Sequence, residues 1–481
     1  GEIEAELRVL AEKIEASEEM EALTRAFEGG FVDPGPSGLI SRGRGDVLPT
    51  GRNFYSLDPQ KVPTEAGAVV GRLLADTLLA THLRENGSYP ENVAFYWQCT
   101  DIMWADGEGL AQMLHLLGVR VRWQGNGRVA GFDVVPLAEL GRPRIDVTVR
   151  ASGLTRDNFP QTIDLLDDAV QTVAALDEPL DLNFVRKHSL ERIAEFEGDA
   201  ADPSAWREAN YRIFSAMPGS YGSGVNLAVY ASAWETEEDL AEVFVAWNSY
   251  AYGKGVNGKA ARKSLTASLR TVDASFGKTM SDTYDLFGCP CHFGTHGGLI
   301  NAARVLSGKE VRDYYGDTRE QGEARVRSLA DEIRRVARGK ILNPIWIESM
   351  KDHGYKGAGD IMKRVGYVYG WQATSRQVDG AIFDDIARTF MMDAENRAFF
   401  EQSNPWALEE ISRRLIEAEG RGLWQPAPDV ATELKSLYVE IEGWLEEKMG
   451  DMEGEFQGGA IDVKRLAEIP GWQNGLGRGV A

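Results

Sequence analysis

Val93–Trp123, VAFYWQCTDIMWADGEGLAQMLHLLGVRVRW, is the stretch whose periodicity decides the fold. Val93 to Trp97 is rich in β-branched and aromatic residues, as a strand is. Gly107 to Leu117 carries apolar residues at helical spacing, and Val119 to Trp123 reads as a second strand. Strand, helix and strand in that order predict a βαβ unit and an α/β fold. The loop after the first strand then holds Cys99, Asp101 and Trp104. In open α/β sheets ligands bind beyond the carboxyl ends of strands, although many such loops only connect.

Outward from this unit, Ile145 to Val149 alternates polar and apolar residues and predicts another strand, with Arg156 and Asp157 beyond its end. Ile163, Leu166, Val170 and Val173 recur at helix spacing after Pro160, which suits a first helical turn, and the helix should stop near Leu176. Ser189 to Ala209 is a further helical stretch or a linker. Tyr211 to Gly224 is rich in Gly and Ser, either an ordinary loop or one where backbone approaches a ligand closely. Tyr314 and Tyr315 predict a strand running into a loop with Asp317 and Arg319. Ser328 and Asp331 have capping-box spacing, Leu329, Ile333 and Val336 form one face, and Gly339 can end that helix. From there the pattern is mainly helical, with Pro405 opening a helix that turns Leu408, Ile411 and Leu415 inward and Gly420 closing it.

The expected architecture is therefore a multi-lobed α/β protein, with a βαβ-type sheet region in the first third and a mainly helical C-terminal region. At 481 residues, about two to four lobes are expected. The divisions are a helix over 1–30, an α/β domain over 31–180, a mixed α/β domain with Gly-rich loops over 181–320, and a mainly helical domain over 321–481.

Composition narrows the function. A hydrophobic share of 43% with 26% charged residues is that of an ordinary globular chain. A formal net charge of −22 argues against nucleic acid as a partner, because phosphate neutralisation needs clustered Lys and Arg. It leaves room for an anionic small molecule met by local arginines. No apolar run approaches the roughly 20 residues that span a bilayer, and no signal-peptide pattern opens the chain, so a cytoplasmic protein is expected. Three cysteines are too few for a disulfide framework and fit a reducing compartment.

The densest set of potential metal ligands is Cys289-Pro290-Cys291-His292 with His296-Gly297-Gly298. As a zinc motif it is weak, since the usual spacing and a second half are missing. Neutral imidazole and carboxylate can bind borderline cations, whereas the commoner fate of such cysteines is burial as small hydrophobes. Asp317, Arg319 and Glu348 form either an acid–base set or an ion pair beside a capped helix. Arg52, Asn53 and Tyr55 are candidates for gripping carboxylates or amides, Arg by its planar bidentate donor, and Arg156 joins them at the end of its strand. Trp371, Trp406 and Trp424 fit core positions better than ring-stacking walls. No GxxxxGK[ST] phosphate loop occurs in the sequence.

Several uncommon strings occur in fixed order: Pro34–Gly38 (PGPSG), Leu48–Pro59 (LPTGRNFYSLDP), Arg142–Val149 (RPRIDVTV), Arg156–Pro160 (RDNFP), Val185–His188, Pro218–Gly222 (PGSYG), Asp317-Thr318-Arg319, Asn343–Glu348 (NPIWIE), His353–Gly357 (HGYKG), Gly370-Trp371 and Asn404–Leu408 (NPWAL). In these the chain resembles the large subunit of tetrapyrrole metal chelatases, the family of the cobaltochelatase large subunit and the magnesium chelatase H subunit. The resemblance implies a ligase that binds a tetrapyrrole and inserts a metal, with AAA+ partner subunits hydrolysing ATP. RNFYSLDP, THGGLINAARVLSG and GDTRE look closer to the cobalt branch, which implies cobalt insertion into a corrin-type ring for cobalamin biosynthesis; magnesium insertion into protoporphyrin IX or a non-catalytic tetrapyrrole-binding scaffold are the alternatives. It also implies site roles for Asp317, Glu348 and His296. Family members run to more than twice this length, so the chain, which opens without Met in a charged helical pattern from Glu2 to Phe27, is expected to be a C-terminal portion completed by an upstream half. Where the family carries an acidic stretch before its His-Gly-Gly, this sequence has Gly-Cys-Pro-Cys-His-Phe-Gly-Thr, a departure that removes the usual acidic contacts and points either to thiolate metal handling by Cys289, Cys291 and His292 or to an iron–sulfur centre.

Overall fold

Strand Asp146–Ala151 is buried at every position and strand Asn92–Trp97 at all but one, Tyr96, so both must have each face covered. Such strands suit the centre of a parallel sheet with helices on both sides. The computed structural model describes residues 1–55, 57–320 and 323–449, without the side chains of Glu2, Phe54, Tyr55, Lys448 and Met449. Residues 450–481 of the expected 321–481 segment lie outside the described residues.

The main sheet has eight strands. From one edge to the other they are Arg325–Ser328, Arg312–Asp317, Ala274–Thr279, Asn92–Trp97, Asp146–Ala151, Ile213–Ser215, Tyr250–Gly253 and Val256–Ala260. The five strands from Arg312–Asp317 to Ile213–Ser215 run parallel, and the flanking pairs are antiparallel. The sheet takes strands from each of the segments 31–180, 181–320 and 321–481.

The predicted βαβ unit exists, but its second strand is Asp146–Ala151 rather than Val119–Trp123. The latter pairs antiparallel with Val129–Val134 in a separate hairpin. The reason is in its alternation: Val119 and Val121 are buried while Arg120 and Arg122 are exposed, so only one face can be covered.

Alternate residues of each strand enter two cores on opposite faces. Val93, Phe95, Trp97, Phe276 and Tyr314 join helices Glu65–Asn86, Glu108–Leu117 and Pro160–Ala174. Ala94, Phe214 and Tyr315 join Glu237–Asn248, Gly298–Ser307 and the C-terminal helices, so the helical region shares one continuous core with the sheet. Helix Pro160–Ala174 buries Ile163, Leu166, Val170 and Val173 as its spacing predicts. Ser328 Oγ accepts from Asp331 N at 3.1 Å to cap the next predicted helix. That helix does not end at Gly339: a π-helical turn carries it over Ala337–Ile341 before Asn343 caps its successor. Trp371 and Trp424 are core residues, whereas Trp406 is 49% exposed.

Candidate functional site

Strand order defines where a ligand can enter. From Asn92–Trp97 the chain moves outward through Asp146–Ala151 and Ile213–Ser215, then returns to lay Ala274–Thr279 on the other side of Asn92–Trp97. The junction between these two central strands is the topological switch point, where open α/β sheets form a crevice. The two strands pair only from Val93–Ala274 to Phe95–Phe276. Beyond that each keeps its outer neighbour, Trp97 facing Ala151 and Thr279 facing Asp317, so their carboxyl halves splay. Tyr96, Trp97 and Gln98 line one wall of the resulting crevice, Gly277, Lys278 and Met280 the other.

One side of the crevice is ionic. Lys278 Nζ donates to Asp101 Oδ1 at 2.5 Å and to Glu108 Oε2 at 2.9 Å. Burial opposes the ammonium, but the two carboxylates outweigh it and raise its pKa. Glu108 also accepts from Thr318 Oγ1 at 2.8 Å and from Arg42 Nη2 at 2.6 Å, and Arg42 reaches the Thr318 carbonyl at 2.6 Å. Helix Glu108–Leu117 starts here because Asp101 accepts from Gly109 N at 2.8 Å, satisfying an otherwise unpaired first-turn amide.

The other side holds imidazoles. His292 and His296 sit on a π-helical turn, His292–Gly297, a local distortion common at functional sites. Both rings are buried, and loss of water pushes their pKa down, to about 4 for His292 and about 3 for His296. At neutral pH both are uncharged, the form that binds metal or accepts a proton. His296 Nε2 is 3.2 Å from Ser275 Oγ, which donates to Asp313 Oδ1 at 2.7 Å. That direction assigns the imidazole hydrogen to Nε2 and leaves the Nδ1 lone pair open. Nδ1 lies against Gly277: a Cβ built there would stand 2.7 Å from Nδ1 and 2.4 Å from the Tyr315 ring. Glycine at 277 is therefore what admits His296 to the strand. His292 Nδ1 is 3.1 Å from Gln98 Nε2, and its Nε2 has no hydrogen-bond partner among the described residues. Tyr284 packs on His292 at 5.2 Å and Trp104 meets Tyr284 edge-on at 5.7 Å, forming a half-exposed aromatic rim beside His292.

The remaining predicted residues are distributed around this centre. Asp317 ends the adjacent strand and accepts from Arg319 at 2.7 Å and Arg327 at 2.9 Å. Burial alone would raise its pKa, but the hydrogen bonds and charge of Arg319, with Arg327, hold it down at about 2. Arg319 also binds Asp282 at 2.7 Å. Glu348 is exposed and pairs with Lys351 at 2.6 Å; it does not line the crevice. Arg52 is engaged by its own loop, donating to the carbonyls of Pro49 at 2.9 Å, Val47 at 3.1 Å and Asp46 at 3.2 Å. Asn53 is exposed on a short strand beside Pro34–Pro36, and the Tyr55 side chain lies outside the described residues. Arg156 is buried, donates to the carbonyls of Ala216 at 2.8 Å and Met217 at 3.2 Å, and lies over Tyr252, pinning the Gly-rich loop.

The cysteine arrangement differs from the expected thiolate pair. Cys289 and Cys291 are joined as a disulfide, because the turn at Pro290 holds their Cα atoms 5.2 Å apart, within disulfide range. Among the described residues no group of three or more His, Cys, Asp or Glu side chains is placed to hold a metal ion. Sequence reasoning flagged His296, Asp101 and Trp104 but missed Lys278, Glu108 and Gln112, which carry no motif of their own. The signal available for Lys278 was a lone charge inside the otherwise uncharged strand Ala274–Thr279.

A parallel sheet splayed at its switch point, with an ionic side, places the chain among the open α/β folds that form a crevice there. Comparison with known proteins narrows this class. The family model described as CobN/Magnesium Chelatase matches residues 2–431, and the chain belongs to that family. It is 54% identical over 466 residues to an uncharacterized protein of Methanocaldococcus jannaschii, covering 96% of this chain and 37% of that protein. Identity is 41% to the aerobic cobaltochelatase subunit CobN of Pseudomonas aeruginosa, covering 88% of this chain and 34% of that subunit. It is 38% to the chloroplastic magnesium-chelatase subunit ChlH of Oryza sativa subsp. indica, covering 90% and 31%. The solved catalytic subunit of cobaltochelatase from Mycobacterium tuberculosis superposes with a TM-score of 0.85 at 40% identity, covering 88% of this chain and 36% of that one. The chain thus spans about a third of the length of the relatives it matches.

Proposed function

We propose that this chain forms the ring- and metal-handling crevice of an ATP-dependent tetrapyrrole chelatase large subunit, inserting cobalt into a corrin-type ring for cobalamin biosynthesis. The observation that carries the reading is His296, a buried neutral imidazole that lines the crevice and packs against Gly277. The macrocycle would lie across the aromatic rim of Trp104 and Tyr284, with its metal-receiving face toward His296 and His292. As the metal takes the four ring nitrogens, the inner N–H protons must leave, one from a corrin-type ring and two from a porphyrin, and a neutral imidazole can guide the cation. Asp317, kept ionised by Arg319 and Arg327, supplies fixed negative charge beside the site. Asn53 and Tyr55, with Arg52 organising their loop, and Arg156, which orders the Gly-rich loop, are assigned to substrate positioning. A cytoplasmic enzyme fits a chain in which no described helix is long and apolar enough to cross a membrane.

Cobalt is favoured because imidazole nitrogen suits Co²⁺, whereas Mg²⁺ prefers an all-oxygen shell. Magnesium insertion into protoporphyrin IX is the second reading, supported by the 38% identity to the rice subunit. ATP hydrolysis is assigned to AAA+ partner subunits, consistent with the missing phosphate loop. The test is absorbance titration of the protein with hydrogenobyrinic acid a,c-diamide and with protoporphyrin IX, then addition of Co²⁺ or Mg²⁺ with ATPase subunits. Corrinoid binding followed by cobalt insertion, with His296→Ala binding the ring but losing about a hundredfold or more in insertion rate, is expected. Binding of neither ring would refute the reading, and binding without insertion would leave a scaffold.

A further inference from the structure

The crevice floor contains a group that the site chemistry above does not use. Gln112 lines it and is 0% exposed, yet neither its Oε1 nor its Nε2 has a hydrogen-bond partner among the described residues. A buried primary amide with a donor and an acceptor both unmet is costly unless water satisfies it. The crevice has about 30 Å³ of free space, enough for about one or two waters when one needs at least about 10–15 Å³ of such space. Lys278 lines the same crevice. Its ammonium has three donors and the protein occupies two, at Asp101 and Glu108.

The carboxylate on the far side of Lys278 faces different surroundings. Glu108 lines a second cavity of about 380 Å³, along with Arg42, Trp104 and Thr318. Lys278 is thus the bridge between two spaces, the crevice at the switch point and the outer cavity under the Arg42 loop. A salt bridge serving only to fasten the loop would have no need of an unsatisfied amide on its inner side.

We propose that Gln112 holds water in the crevice and that Lys278 and Glu108 relay protons from that water to the outer cavity, removing the protons that metal insertion releases. The proposal rests on the chelatase reading. In each transfer the crevice water, protonated by the substrate, gives a proton to Lys278 as Lys278 gives one to Glu108. The ammonium is restored, Glu108 becomes the neutral acid, and it releases its proton to solvent in the outer cavity. Asp101 keeps its charge throughout and holds Lys278 in place. One such cycle serves each inner N–H bond broken, one for a corrin-type ring and two for protoporphyrin IX.

Two variants test it in the full chelatase, supplied with its ATPase subunits. Gln112→Met keeps side-chain length and removes both polar atoms; Lys278→Arg keeps the charge but replaces a rotatable ammonium with a rigid planar fork that cannot occupy the same donor positions. Both should bind the ring with unchanged affinity by absorbance, insert metal about tenfold or more slowly in a single turnover, and show a solvent deuterium effect larger than that of wild type. A high-resolution crystal structure of the wild-type protein should show water bonded to Gln112 and Lys278. A dry crevice, or insertion by Gln112→Met at the wild-type rate, overturns the relay while the chelatase reading stands. Wild-type protein that neither binds a ring nor inserts metal overturns that reading, and the relay with it.

Discussion

His296 and Asp313 show how two titratable side chains can share one network and lean in opposite directions. Both are buried, and burial disfavours whichever form is charged. It lowers the imidazole and raises the carboxyl, pushing Asp313 up to about 7 against the opposing hydrogen bond from Ser275. A carboxyl that binds its proton more tightly folded than unfolded adds stability below its ordinary value of 3.8, and that contribution is lost as pH rises through about 7. Asp313→Asn mimics the protonated form. The melting temperature of the wild type should therefore drop relative to Asp313→Asn between about pH 4 and about pH 8. A gap that stays constant across this window in thermal melts would contradict the assignment. His296 itself was legible in the sequence, as a member of the densest set of potential metal ligands and of a motif shared with the family. Its partner Gly277 was not, because a glycine in a strand takes its meaning from the ring that lies on it.

At the scale of elements, the π-helical turn His292–Gly297 is held from behind by helix Gly354–Ser375. Gly370 lets the two approach: a Cβ at that position would stand 2.6 Å from the Phe293 ring. Phe293 is buried with no room to retreat, and it lies on the same turn as both histidines. Gly370→Ala should cost about 1–3 kcal/mol of stability, the usual penalty for overpacking a core. Urea unfolding measures it, and an unchanged midpoint would show that the turn yields freely. Local pattern revealed most individual elements. Strand Asn92–Trp97, helix Pro160–Ala174 and the Ser328 cap follow from composition, 3.6-residue spacing and side-chain chemistry close in sequence. The partner of the first strand did not follow from local pattern alone. VRVRW has the alternation of a strand, but its exposed arginines confine it to an outlying hairpin. Cys289 and Cys291 belong here too: departure from the family's acidic stretch suggested a ligand pair, and the turn at Pro290 brought the sulfurs together instead.

For the whole molecule, the sheet couples two cores. Phe95 and Trp97 enter one and Ala94 the other, with strands from residues 92 to 328 between them. Neither core can lose its packing while the sheet stays intact, so heat should unfold this body in one cooperative transition. Calorimetry that resolved two well-separated transitions would instead mean that the helical C-terminal part melts by itself.

Elements and their chemistry were set close to the chain: which segments are strands, that Asp101 follows one strand and Asp317 closes another, and the order of motifs that marks the family. Those features depend on neighbours within a few residues, where periodicity and capping act. The site was decided in three dimensions. Asp101, Gln112, Lys278 and His296 are far apart along the chain, and they meet only because the strand carrying Lys278 returns to the far side of Asn92–Trp97 and then diverges from it. No local pattern encodes that divergence, since it arises when each strand keeps its outer neighbour and gives up the inner one.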